Sequence, residues 1–228
     1  MSMSTRRIEV QKKVLTKNDV IAARVRERFR ERGIFAVNIL GSPGSGKTSL
    51  VELTAKLVAR RIRTTALSGD QATENDARRI RAAGMPALQI TTGNECHLNA
   101  SRIEDVLDAP ELAGARLLLI ENVGNLICPA AYDLGEAAKV VVLSVPEGDD
   151  KPLKYPGLFQ RAELLIINKI DMLSLTDFDP EHAAAHAREV APHIEVVSLS
   201  CRSGKGLSGW YRWLETRVPE LSPLDALA

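Results

Sequence analysis

The chain is poor in the residues that mark extracellular, membrane and nucleic-acid-binding proteins. Its 228 residues include three cysteines, four histidines and few aromatics, 4% in all. An odd, sparse cysteine set builds no disulfide scaffold and points to a reducing compartment. No apolar run approaches the roughly 18 residues of a bilayer span, and the polar amino-terminal stretch lacks the apolar core of a signal peptide. A cytoplasmic protein with no membrane partner is expected. The formal charge is only +1, from 30 basic and 29 acidic side chains, which gives no basis for bulk binding to a polyanion. No aromatic platform or recognised motif supports a nucleic-acid role, and none is expected. What remains is an ordinary globular mix, 45% hydrophobic and 26% charged, long enough to bury a core unaided.

The near-zero charge conceals a division. Residues 1–32 carry ten basic and four acidic side chains, net +6, so the remainder holds 20 basic and 25 acidic, net −5. Within this basic arm, taken as residues 1–33, Val20, Ile21, Val25 and Phe29 recur at helical spacing. Thr16 with Asp19 has the form of a capping box, and Gly33 is a stop signal. The arm reads as an amphipathic helix, either packed on the rest with its charged face in water or offered to an acidic partner.

Residues 34–228 read as one α/β unit. Apolar segments at 34–40, 64–67, 87–91, 116–120, 139–145, 163–168 and 194–199 alternate with helical patterns at 47–63, 75–83, 98–107, 182–190 and 207–218. Most of the strand segments are apolar throughout, as strands buried on both faces are. A mostly parallel central sheet of about seven strands with helices on both faces is expected, a P-loop NTPase architecture given the loop that follows the first strand.

That loop is Gly41-Ser42-Pro43-Gly44-Ser45-Gly46-Lys47-Thr48-Ser49, which contains G-x-x-x-x-G-K-[ST] between an apolar strand and a helix. Glycines let the backbone curl so that N–H groups face phosphate oxygens, and the helix start adds its positive dipole end. Lys47 is expected on the β- and γ-phosphates and the Thr48 hydroxyl on Mg²⁺. Asn168-Lys169-Ile170-Asp171 closes a later strand in the N-K-x-D form. An Asp171 carboxylate accepts two hydrogen bonds from guanine N1–H and N2–H₂, a donor pair that adenine lacks. Ser200-Cys201-Arg202, after the next strand, has the position of a loop whose backbone contacts guanine O6. GTP is therefore the expected nucleotide. Asp70 and Glu121, at strand ends facing the phosphate crevice, are candidates for holding Mg²⁺ or its water. No glutamine or arginine finger stands out, so a GTPase with slow intrinsic turnover, aided by a partner or by dimerisation, is expected.

Cys96 and His97 stand side by side before a helix, and Cys128 follows Glu121 by seven residues. Thiolate and imidazole suit Zn²⁺ and Ni²⁺. A buried cysteine beside a helix-start histidine reads equally from spacing alone. Adjacent side chains diverge by about 100° on a helix or 180° on a strand. A closed site from these three is therefore hard to build in one chain, and completion by a second copy is the more natural reading.

The segments Asp70-Gln-Ala-Thr-Glu-Asn-Asp76, Thr92-Gly93 to Cys96-His97-Leu98, Glu121-Asn-Val-Gly-Asn-Leu-Ile-Cys128-Pro129 and Glu147-Gly-Asp-Asp-Lys-Pro-Leu-Lys-Tyr-Pro156 closely resemble the HypB family. These GTPases assist nickel insertion into [NiFe]-hydrogenases. The resemblance covers about residues 34–218. It implies a SIMIBI-class P-loop metallochaperone that forms a homodimer with GTP, with Cys96, His97 and Cys128 as Ni²⁺ or Zn²⁺ ligands at the dimer interface. Its implied partners are other hydrogenase maturation proteins and the hydrogenase large subunit. The sequence departs from some family members in showing neither C-x-x-C-G-C nor a His-rich tract, which leaves the G-domain site as its visible metal site. It also lacks the P-loop lysine of many SIMIBI proteins; Lys154 is a candidate to reach a partner's nucleotide instead. The nearest rivals are a UreG-like urease maturation GTPase, disfavoured because Cys128-Pro129 is followed by Ala130 rather than histidine, and a nucleotide-gated scaffold whose thiols are merely buried.

Overall fold

A computed structural model describes residues 3–58, 61–71, 73–93 and 95–221, with side chains from Val14 onward. Of the expected segments, residues 59–60 of the second helix and 1–2 and 222–228 of the two units lie outside the described residues.

All seven expected strands are present: β1 Phe35–Leu40, β2 Thr64–Asp70, β3 Ala87–Thr91, β4 Leu117–Glu121, β5 Ala138–Ser144, β6 Leu164–Asn168 and β7 Glu195–Ser198. They form one sheet in the order β3-β2-β4-β1-β5-β6-β7, with every neighbouring pair parallel. β2 runs three residues past its expected end because residues 68–70 keep pairing with 89–91 of β3. The alternation of side chains shows why these strands read as apolar throughout. Val37, Ile39, Leu117, Leu119, Val140 and Val142 enter one core, beneath helices α2 (Lys47–Val58), α3 (Asn75–Ala82) and α9 (Leu207–Glu215). Their neighbours Ala36, Leu118, Ile120, Val141 and Leu143 enter the opposite face. There they meet α1 (Met3–Glu31) and α4 (Ala100–Glu104) on one side and α7 (Pro156–Phe159) and α8 (Pro180–Val190) on the other. Three short helices, α5 (Cys128–Ala131), α6 (Lys151–Lys154) and α7, are invisible to periodicity because four residues carry none; proline marks the first turn of each.

Several helix boundaries differ from the sequence reading, that of the expected 47–63 helix among them, since α2 ends at Val58 and residues 61–63 are turn and irregular chain. α1 begins at Met3 and passes through Thr16, which is therefore no cap: no glycine or proline stands between residues 3 and 31 to stop the helix. Val20 is 57% exposed, and the buried stripe is Ala22, Val25 and Phe29. α4 stops at Glu104 instead of 107; three-residue turn bonds from Val106 N–H to Ile103 and from Leu107 N–H to Glu104 carry the chain onward. α9 ends at Glu215, before the expected 218.

α1 is packed, not free for a partner along this stripe. Val25 and Phe29 share a core with Leu67, Leu118 and Ile120. Arg24 meets Glu104 at 3.0 Å, Arg26 meets Asp133 at 2.6 Å, and Arg28 and Arg32 meet Asp108 at 2.7 and 2.5 Å. Asn18 donates to the Asp133 carbonyl at 2.8 Å and accepts from the Ala100 amide at 2.9 Å. Much of the charge asymmetry is thus satisfied inside the molecule. Among the described residues no helix is long and apolar enough to cross a membrane.

Because these ion pairs are solvent-screened while Phe29 is buried, packing dominates the attachment. Phe29→Ala is expected to lower unfolding free energy by about 3 kcal/mol, and Arg24→Ala by far less, in urea melts. Equal effects would contradict this ordering.

Candidate nucleotide and metal site

β1 delivers the chain into the 41–48 loop at the centre of the sheet, where the connections turn from one side (β2, β3, β4) to the other (β5, β6, β7). This is the switch point at which parallel α/β sheets hold ligands, outside their carboxyl ends. A cleft of about 500 Å³ opens there, lined by Lys47, Thr48, Asp70, Asp76, Glu121 and Lys169 among others.

The loop is braced by its own lysine. Lys47 Nζ donates to the Gly41 and Ser42 carbonyls at 3.0 and 2.9 Å. Burial lowers its pKa, against the opposing pull of Glu121, Glu147 and Asp76. Gly46 has φ +103°, and a Cβ there would stand 2.2 Å from Asn168 Nδ2, so only glycine fits. Ser45 offers its carbonyl to Asn168 Nδ2 at 2.8 Å, and Ser49 accepts from Arg79 at 3.3 Å.

Asn168 is the hub between the two loops. Its Oδ1 accepts from the Lys169 and Cys201 amides at 2.7 and 3.1 Å. Lys169, the one non-glycine residue with positive φ among those described, sends Nζ 2.7 Å to the Gly44 carbonyl. The Ser200 hydroxyl donates to Asp171 Oδ1 at 2.5 Å. Asn168, Lys169, Asp171, Ser200 and Cys201 are thereby drawn together, while Arg202 is exposed beside them. Burial pushes the Cys201 thiol up to about 11, which suits a neutral packing residue.

At the other end of the cleft the Thr48 hydroxyl lies 2.6 Å from Glu121 Oε1 and 3.0 Å from Asp76 Oδ1. A hydroxyl has one proton for two carboxylates. Glu121 is 4% exposed, its Oε2 has no hydrogen-bond partner, and burial raises its pKa to about 7. An orphaned buried carboxylate beside a threonine hydroxyl and a second acid is a donor set that fits a hard divalent cation. Asp70 ends β2 on the same cleft, where Thr73 donates to its Oδ2 at 3.0 Å. Asp76 was not singled out in the sequence because a first-turn acid in α3 reads as dipole compensation. Arg79, also in the cleft, is committed to Glu52 at 2.8 and 3.0 Å.

Cys96, His97 and Cys128 place one donor atom each within 4.8 Å of one another, the one such group among the described residues. The expected divergence of Cys96 from His97 does not hold. Residues 95–99 are neither helix nor strand, so neither the 100° nor the 180° rotation applies. The His97 ring stacks on Tyr132 at 3.8 Å, and burial lowers the imidazole pKa, favouring the neutral ligand form. A shared hydrogen bond with Cys96, then burial, raises the Cys128 pKa. Lys154 pairs with Asp150 at 2.5 Å and borders a groove with Ile127 and Tyr155, away from the phosphate cleft of its own chain.

The nucleotide-binding domain described as CobW/HypB/UreG matches residues 35–198. The hydrogenase maturation factor HypB of Azotobacter vinelandii is 50% identical over 211 residues, covering 92% of this chain and 70% of that protein. Among solved structures, hydrogenase maturation factor HypB from Archaeoglobus fulgidus aligns with a TM-score of 0.84 at 40% identity, over 90% of this chain and 100% of the other. HypB from Helicobacter pylori in complex with nickel gives 0.83 at 40% identity, over 90% and 98%.

The raised Glu121 pKa makes a signed prediction for the metal-free protein. Between the ordinary carboxylate value and about 7, the unfolded chain loses this proton while the folded chain keeps it. Stability therefore falls as pH rises through that window. Glu121→Gln should flatten this part of the profile in urea melts at pH 5 and 7.5; a variant with an unchanged pH slope would refute the assignment.

Proposed function

Since this chain belongs to the CobW/HypB/UreG family and, within it, to the HypB hydrogenase maturation factors, we propose that it is a GTP-hydrolysing nickel metallochaperone whose nucleotide state controls a shared metal site. The observation that carries this is the convergence of three soft donors within 4.8 Å, on segments hydrogen-bonded to the strand ends that line the nucleotide cleft.

Guanine is selected by Asp171, which Ser200 holds in place and whose second oxygen remains for the base. Asn168 locks the base loop to the phosphate loop, so both ends of the nucleotide meet one rigid frame. Lys47 would exchange the Gly41 and Ser42 carbonyls for phosphate oxygens, with backbone N–H groups at the start of α2 facing the same charge. Thr48, Glu121 and the acids Asp70 and Asp76 would hold Mg²⁺, which neutralises phosphate charge when bound. Arg79 is occupied by Glu52, so the cleft offers no free guanidinium from that position, and hydrolysis by the isolated chain is slow.

Two thiolates and an imidazole suit the cargo, Ni²⁺, and also Zn²⁺. A metal–sulfur bond of about 2.3 Å implies donor separations of about 3.8 Å in a tetrahedron, and Cys96 Sγ already lies 3.8 Å from His97 Nδ1. Three ligands leave a coordination position for a ligand of the second copy in the GTP-bound homodimer, or for the acceptor during transfer. The acceptors are other maturation proteins and the hydrogenase large subunit, in the cytoplasm.

Two substitutions test the reading. Asp171→Asn should lower GTP affinity by about 100-fold or more and raise that for xanthosine triphosphate, whose C2 carbonyl accepts from an amide. Cys128→Ser should weaken Ni²⁺ binding by at least about tenfold with GTP affinity intact. Unchanged nickel binding in this variant and in Cys96→Ser would leave only a nucleotide-gated scaffold.

A further inference from the structure

Glu121 and Asn122 are consecutive, and strand alternation sends them to opposite faces of the sheet. Glu121 lies in the nucleotide cleft against Thr48. Asn122 turns to the far face, where it is 1% exposed. Its Oδ1 accepts from the Leu98 amide at 3.0 Å and from the Val123 amide at 2.9 Å. Its Nδ2 donates to Asn38 Oδ1 at 3.2 Å, and Asn38 Nδ2 donates to Glu136 Oε1 at 3.1 Å. Glu136 Oε2 accepts from the Leu134 amide at 2.6 Å, and Lys139 Nζ stands 3.2 Å from Oε1.

The Leu98 and Val123 amides can only donate, so the direction of this chain is fixed from their end. Asn122 must turn its oxygen to them and its nitrogen to Asn38. Asn38 must then turn its oxygen to Asn122 and its nitrogen to Glu136. Both ends of the network reach His97: Leu98 is the next residue, and Tyr132, two residues before Leu134, stacks on the imidazole. The Leu98 side chain is also wedged against the strand beside Asp70, since a Cβ on Gly69 would lie 2.8 Å from its Cγ.

We propose that Asn122 is the positioning residue through which the nucleotide cleft sets the geometry of the Cys96-His97-Cys128 site. This rests on the preceding reading that nucleotide state alters nickel affinity. A movement of Glu121 toward or away from bound Mg²⁺ and phosphate carries Asn122 with it through one planar peptide. A hydrogen bond of 3.0 Å tolerates a few tenths of an ångström, so Leu98, and with it His97, must follow or let go. Asparagine alone fits the post: the position needs one acceptor for two amides and one donor for Asn38. An apolar residue would leave three buried polar groups unpaired.

The experiment is a Ni²⁺ titration of the full chain with Mg²⁺ and either GDP or a non-hydrolysable GTP analogue, for wild type, Asn122→Ala and Asn38→Ala. Wild type should show affinities that differ at least about fivefold between the two nucleotides. In Asn122→Ala the ratio should fall to within about twofold. Asn38→Ala loses the orienting partner but keeps the acceptor for Leu98, and should give an intermediate ratio. A purely structural role would weaken binding in both states together and leave the ratio at its wild-type value, which would overturn the proposal. Should Asn122→Ala not fold, Asn38→Ala decides, and an unchanged ratio in it overturns the relay. A wild-type ratio of one would overturn the nucleotide–metal reading and the relay with it. An unchanged ratio in the variants beside a coupled wild type sinks the relay alone.

Discussion

The register of β4 against β1 is the constraint on which the rest of the site depends. Ile39 pairs with Glu121, and the Asn122 amide donates to the Ile39 carbonyl at 3.1 Å, just before the phosphate loop begins. This places one carboxylate beside Thr48 and, by alternation, the next side chain among the partners of the metal segment. A slip of one residue would exchange the two faces. Parallel pairing of seven strands makes such a slip hard, because both faces of β1 and β4 are filled by helices.

The two functional halves are built differently. The nucleotide half is a set of loops tied to one another by backbone carbonyls and the Asn168 carboxamide. Its charge is unresolved: Glu121 has an unpartnered oxygen and a raised pKa of about 7. The metal half has its donors gathered, with Cys96 Sγ 3.8 Å from His97 Nδ1. Each half thus offers a donor set that fits a cation, and the polar chain through Asn122 runs between them across the sheet. α1, with Arg26 on Asp133 and Asn18 on both Asp133 and Ala100, braces the segment that leads to Glu136.

Much of this was legible in the sequence, for physical reasons. The strands announced themselves because burial on two faces removes polar alternation, and 41–48 and 168–171 are local motifs whose chemistry fits in a few consecutive residues. The HypB likeness rests on four other short segments, 70–76, 92–98, 121–129 and 147–156. What was hidden needed three dimensions. Asp76 reaches Thr48 only because α3 packs beside α2. Asn122 carries no signal of its own in the sequence, since its partners lie 24 and 84 residues away. The convergence of Cys96 with His97 is not legible because the angles of regular structure do not hold in the irregular segment 95–99. The start of α1 was misjudged because a capping pattern at Thr16 carries no weight where the preceding residues are themselves helical.

Coupling between two binding sites is reciprocal, so the central claim has a direct test from the nucleotide side. The affinities of the full chain for GDP and for a non-hydrolysable GTP analogue, each with Mg²⁺, are measured with and without saturating Ni²⁺. The account predicts that nickel changes the ratio of the two affinities by at least about fivefold, by the same factor with which the nucleotide changes nickel affinity. A ratio that nickel leaves unchanged would contradict it.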